Sequence, residues 1–277
     1  MSEPIPFNRP CLVGNELEYM AEAVASGHSA SGGPFTRRAA DILRHVHDAD
    51  DVLLTTSCTD ALEMTAMLIG IRPGDVVVVP SFTFTSTALA FAREGARLRF
   101  CDIEPGTLGL DPDHLETLLD DRVRAVVVVH YAGVPCDVDR IAPLCEARGI
   151  ALIEDNAHGL FATHRGQPLG TFGRMSTLSF HETKNFICGE GGALVLNTPD
   201  DVEAAHVLLD KGTNRKAFFD GAVDKYTWQG QGSSFGMSDL LAAFLTAQLE
   251  AAPQIQAKRR RIAITYRALL EPLEDEF

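Results

Sequence analysis

Five short apolar runs divide the first half of the chain, at 52–54, 76–79, 97–100, 125–129 and 151–153. Helical patterns over 60–69, 85–93, 113–119 and 137–147 separate them. The purest runs, Val76-Val77-Val78-Val79 and 125–129, lack the polar alternation of a strand with one wet face. Strands of that kind are buried on both sides, and helices between them make right-handed crossovers. The pattern predicts an α/β fold with a doubly wound, mainly parallel sheet, whose ligands bind at the carboxyl ends of the strands. Helices are also predicted over 16–25, 35–46 and 251–270. The small-residue stretch 26–34 reads as a flexible loop, and 166–170 as a turn.

Composition narrows the functional classes. Of 277 residues, 45% are apolar and 22% charged, as expected of a protein with a large core. A net charge of −14 argues against nucleic acid as a partner and leaves any anion to a local site. The six cysteines are scattered with no CxxC pair, so neither a disulfide framework nor a metal centre is expected. Met1-Ser2-Glu3-Pro4 has no leader character. No apolar run nears the roughly 20 residues that span a bilayer, and the expected location is cytoplasmic. The basic run Lys258-Arg259-Arg260-Arg261 reads as a solvated helix face.

Four strand ends carry unusual chemistry. Residues 175–180 read as a buried strand that ends in His181-Glu182-Thr183-Lys184-Asn185, and Gly189-Glu190-Gly191-Gly192 turns the chain into a second strand at 193–196. A lysine held at a core edge loses water around its ammonium, which favours the nucleophilic amine and suits a Schiff base with a carbonyl, most often that of pyridoxal 5′-phosphate (PLP). A surface lysine is the bland alternative. At Thr55-Thr56-Ser57-Cys58-Thr59-Asp60 a strand passes into a helix, where free amides and hydroxyls make an anion site, or where Ser57 or Thr59 simply caps the helix. In Pro80-Ser81-Phe82-Thr83-Phe84-Thr85-Ser86-Thr87 an aromatic side chain could stack on a planar ring or join the core. Glu154-Asp155-Asn156-Ala157-His158 places two acids after a buried strand, costly unless paired; a carboxylate there can keep a pyridine nitrogen protonated. The alternative is an acidic loop. Together the four supply a phosphate cup, a ring stack, a pyridinium partner and a reactive amine.

These segments resemble the nucleotide-sugar aminotransferases of PLP fold type I. The likeness runs from Pro6-Phe7-Asn8 to the end, and is carried by 53–59, 129–134, 179–185, Lys211-Gly212-Thr213-Asn214-Arg215 and Val223-Asp224-Lys225-Tyr226-Thr227-Trp228. It implies a large domain with a mainly parallel seven-stranded sheet flanked by helices, over residues 1–250. Residues 251–277 would lead to a C-terminal small domain that is missing or truncated. It also implies roles: Lys184 as Schiff-base lysine and proton carrier, Asp155 on the pyridine nitrogen, His158 near the 3-oxygen and Phe84 on the ring face. Thr59, Asp60 through its backbone amide, and Ser179 would bind the phosphate. Ser234, where many relatives have Asn, would reach it from the neighbouring subunit of a homodimer. The segments 27–33 and 211–228 would enclose the sugar nucleotide.

The activity implied is amino transfer from L-glutamate to a dTDP-4-keto-6-deoxyhexose, giving dTDP-4-amino-4,6-dideoxygalactose and 2-oxoglutarate. Another nucleotide keto-sugar, or a non-catalytic subunit, are the alternatives. A sugar dehydratase on this fold carries His where Lys184 stands. A dinucleotide-binding dehydrogenase would need G-x-G-x-x-G after the first strand, which is absent.

Overall fold

The computed structural model describes residues 4–6 and 8–276; Met1–Glu3 and Phe7, on which the leader reading and the start of the resemblance fall, lie outside them. The elements follow in chain order as α1 (Glu16–Ala25), α2 (Pro34–His47), β1 (Asp51–Thr55), α3 (Cys58–Ile69), β2 (Val76–Pro80), α4 (Thr85–Arg93) and β3 (Arg97–Cys101). Then come α5 (Pro112–Leu118), β4 (Val123–Val129), α6 (Val138–Glu146), β5 (Ala151–Asp155), the two-residue strands β6 (Thr163–His164) and β7 (Gln167–Pro168), β8 (Met175–Ser179) and β9 (Gly192–Leu196). The chain finishes through α7 (Val202–Leu209), α8 (Arg215–Phe219), α9 (Asp239–Glu250), α10 (Ala252–Leu270) and a 3₁₀ turn over Glu271–Glu276.

Seven strands form one sheet in the order β1-β9-β8-β5-β4-β2-β3. The pairs β3–β2, β2–β4, β4–β5 and β5–β8 are parallel, and β9 runs antiparallel to both β8 and β1. The mainly parallel α/β sheet expected from the apolar runs is therefore the fold. The carboxyl ends of β1, β2, β4, β5 and β8 come to one edge, joined there by the start of β9.

The core explains the absence of alternation. Val77 and Val79 pack with α3 and α4 on one face, while Val76 and Val78 pack with α5 and α6 on the other. In β9, Leu194 and Leu196 join the first layer, whereas Ala193 and Val195 join α2 and α9. Each such side chain removed from water is worth about 1.5–3 kcal/mol, so a polar residue at either parity would be costly.

Local signals place the helix ends. Ser57 accepts a hydrogen bond from the Asp60 amide (3.0 Å) and caps α3, which ends on left-handed Gly70. Pro34, read as loop, is the first residue of α2, where its missing N–H costs nothing. The turn expected at 166–170 belongs to a small hairpin in which β7 pairs with β6. Helices α7, α8 and α9 were not predicted.

Candidate active site

At the carboxyl edge of the sheet lies a cavity of about 300 Å³. Six segments line it: the start of α3 (Ser57, Cys58, Thr59), the entry to α4 (Thr83, Phe84, Ser86), the end of β4 with Tyr131, the end of β5 (Asp155, Ala157, His158), the end of β8 (Ser179, His181, Thr183, Lys184), and Glu190 before β9.

Asp155 ends β5 and is almost fully buried. Its Oδ2 accepts from the Thr87 hydroxyl (2.6 Å) and its Oδ1 from the Ala157 amide (3.2 Å). Thr87 is in turn within 2.7 Å of the Thr83 hydroxyl, one helical turn back. Glu154 faces the other layer and is fully buried. It accepts from the amides of Gly170 (2.8 Å), Phe172 (2.7 Å) and Gly173 (2.6 Å), and pairs with His130 Nε2 (2.8 Å). The two adjacent acids are thus both paired, one toward the cavity and one toward a loop.

Lys184 follows β8 in a tight turn, where its amide donates to the His181 carbonyl. Its half-buried Nζ lies 2.8 Å from His158 Nε2. The His158 imidazole packs edge-on against the Tyr131 ring, which itself packs on Phe82. At the far end, the Thr59 and Ser86 hydroxyls are 2.8 Å apart, and the first amides of α3 have no acceptor within the helix. Gly192 makes this approach possible, because a Cβ there would lie 2.4 Å from the Cys58 nitrogen. Cys58 sits between the two ends; burial, with the nearby Asp155 carboxylate, pushes its thiol up, so it stays protonated.

Of the residues singled out in the sequence, Lys184, Asp155, His158, Phe84, Ser179 and Thr59 line this one cavity. Two do not. The Asp60 amide is taken by Ser57, and its carboxylate by the Thr56 hydroxyl. Ser234 is exposed and faces Asp210 in an isolated bridge. Phe84 is 74% exposed and forms the rim. Sequence reasoning missed Ser86 and Tyr131 as lining residues and Thr87 as the partner of Asp155. The signal for Thr87 was a hydroxyl four positions after Thr83 in a helix entry.

The DegT/DnrJ/EryC1/StrS aminotransferase family profile matches residues 10–277. The chain belongs to this family. As a member it is a PLP-dependent sugar aminotransferase. It is 34% identical over 273 residues to the dTDP-4-dehydro-2,3,6-trideoxy-D-glucose 4-aminotransferase of Saccharopolyspora spinosa, covering 96% of this chain and 71% of that protein. It is 30% identical over 272 residues to the spore coat polysaccharide biosynthesis protein SpsC of Bacillus subtilis (strain 168), covering 97% and 70%. Among solved structures, the aminotransferase TlmJ from Streptoalloteichus hindustanus superposes with a TM-score of 0.88 at 33% identity, covering 98% of this chain and 72% of that one. The PLP form of the sugar aminotransferase Spr1654 from Streptococcus pneumoniae gives 0.87 at 25% identity, covering 96% and 71%.

The cavity of this aminotransferase suits the chemistry of PLP. A helix N-terminus ringed by hydroxyls fits an anion, a buried carboxylate fits a protonated ring nitrogen, and a half-buried amine between them fits an aldehyde. Among the described residues no group of three or more His, Cys, Asp or Glu is placed to hold a metal, and no helix is long and apolar enough to cross a membrane.

Proposed function

We propose that this chain transfers the amino group of L-glutamate to the 4-keto carbon of a dTDP-4-keto-6-deoxyhexose, releasing 2-oxoglutarate and dTDP-4-amino-4,6-dideoxygalactose. The carrying observation is the convergence of Lys184 and Asp155 on one cavity closed by the α3 N-terminus. The relative acting at C4 of a dTDP-sugar supports the position of amination.

PLP, when bound, supplies an electron sink for the pair left as a C–H bond beside nitrogen breaks. Asp155 would hold a proton on the ring nitrogen, and Thr87 orients that carboxylate. The Lys184 Nζ would take the proton from the substrate carbon and return it to the carbon on the other side of the nitrogen, a 1,3-shift in which one amine serves as base and acid. Thr59, Ser179 and the first amides of α3 hold the phosphate, with Ser86 added to them. The Asp60 contact is weakened by the Ser57 cap, so its share passes to Cys58 and Thr59. Phe84 covers the ring face.

A homodimer completes this site. Ser234 lies outside the cavity of its own chain, and Trp228, 81% exposed in the 211–228 segment, is available to a second copy. Residues 1–250 form the PLP-binding domain, and α10 leads away from it with only Ala252 and Ile255 buried. The proposed location is the cytoplasm.

An absorbance titration with PLP, then L-glutamate, then dTDP-4-keto-6-deoxyglucose tests the reading. Lys184→Ala should abolish the Schiff-base absorbance and slow the glutamate half-reaction by about 10²–10⁴-fold. Unchanged absorbance and turnover in that variant would remove Lys184 from the chemistry. A bound chromophore that does not respond to glutamate would favour the non-catalytic alternative.

A further inference from the structure

The Tyr131–Gly133 loop turns sharply after β4. Ala132 sits at φ 54°, ψ 18°, and Gly133 follows at φ 78°. Gly133 adopts this conformation freely, whereas Ala132 carries a Cβ and holds it only where the surroundings impose it. One result of the turn is that the Ala132 amide donates to His158 Nδ1 at 3.1 Å. The turn is also held from below, since a Cβ on Gly133 would lie 3.3 Å from the His158 carbonyl oxygen. That carbonyl accepts from Asn185 Nδ2 (3.3 Å), beside Lys184.

We propose that the Ala132 amide locks His158 in the Nε2–H tautomer, making the imidazole a fixed hydrogen-bond donor to Lys184 Nζ. A nitrogen that accepts an amide N–H offers a lone pair and carries no proton, so the proton of the neutral ring is on Nε2. At 2.8 Å, Nε2 and Nζ must be one donor and one acceptor. With Nε2 donating, Nζ accepts through its lone pair, and only the amine has one. The loop therefore selects the nucleophilic form of the lysine by geometry, acting through a histidine that makes no covalent bond.

The charged imidazolium is disfavoured on every side. Its Nδ1–H would abut the Ala132 N–H. Burial pushes His158 below its ordinary pKa of 6.5, and Asp155 opposes it only in part. His158 and Ala132 are thus positioning residues. Their role rests on Lys184 being the reactive amine, while the tautomer itself does not.

The test separates the two. The chain labelled with ¹⁵N-histidine gives long-range ¹H–¹⁵N patterns that distinguish the two tautomers from the imidazolium, with or without PLP. The His158 signals among the nine histidines are identified by their loss in His158→Gln or His158→Asn. The expected result is an Nε2–H pattern that persists from about pH 8 to about pH 5, where an ordinary histidine titrates. An Nδ1–H or imidazolium pattern at neutral pH would overturn the proposal whatever the enzyme does. The rate at which PLP condenses with the apo protein supplies a second measurement. Asn reaches only the Nδ1 place and loses the donor, so it should slow condensation about tenfold; Gln can present an N–H at the Nε2 place and should restore most of that loss. Equal rates for Asn and Gln would count against a donor role.

Discussion

Glu154 and Asp155 are adjacent, chemically alike and buried, yet strand parity sends them to opposite tasks. Asp155 faces the cavity and takes a hydroxyl and one amide; Glu154 faces away and stitches β4 to the 170–173 loop through four donors. That both acids needed partners was legible in the sequence, because an unpaired charge after a buried strand is too costly. Which of them met the ligand depended on where β5 ended. Thr87→Val removes one hydrogen bond to a charged group, worth about 1.5–3 kcal/mol. It should weaken PLP binding roughly 10–100-fold in an absorbance titration while the fold is retained. Glu154→Gln turns an amide toward donors that need an acceptor. A loss of about 1–3 kcal/mol is expected in urea unfolding, with the loop 170–173 most affected in hydrogen exchange.

Elements bring these residues into reach. The antiparallel β9 returns beside β1, and Gly192 at its start lies against the first residues of α3. Gly192→Ala would place a methyl 2.4 Å from both the Cys58 nitrogen and the Ser57 carbonyl carbon, so α3 or β9 must shift. The expected cost is about 1–3 kcal/mol in a thermal melt, with PLP affinity falling further than stability alone explains. The glycines of 189–192 marked a turn in the sequence, but the close approach to a helix 134 positions away did not show there. Helix α9 escaped for a related reason. In α9 almost every side of the helix is buried among α1, α2 and the sheet, so the residues lack a clear polar stripe.

At the scale of the molecule, burial of neutral histidines couples folding to pH. His47 ends α2 with Nδ1 on the Leu43 carbonyl (2.9 Å), its Nε2 without a partner, and burial lowers its pKa from 6.5. His158 is lowered too. Below about pH 6.5 the unfolded chain takes up protons at these two positions that the folded chain resists, so their contribution is full above that pH and falls as the solution is acidified. His130, raised to about 9 against its burial by its Cys136 and Glu154 hydrogen bonds, contributes in the opposite sense. In urea unfolding between pH 8 and pH 5, the stability of the natural chain relative to His47→Leu should therefore fall on acidification, by up to about 1.4 kcal/mol per pH unit. The apolar runs by themselves pointed to a two-faced parallel sheet, since short β-branched runs set between helical patterns fit strands buried on both faces. They also located the functional edge, because ligands collect where such strands end. Only the tertiary structure decided which hydroxyl reached Asp155, that the Ser57 hydroxyl accepts from the Asp60 amide, and which nitrogen of His158 faces Lys184. Those outcomes turn on ångström distances between segments far apart in the chain, and local residue patterns hold no record of them.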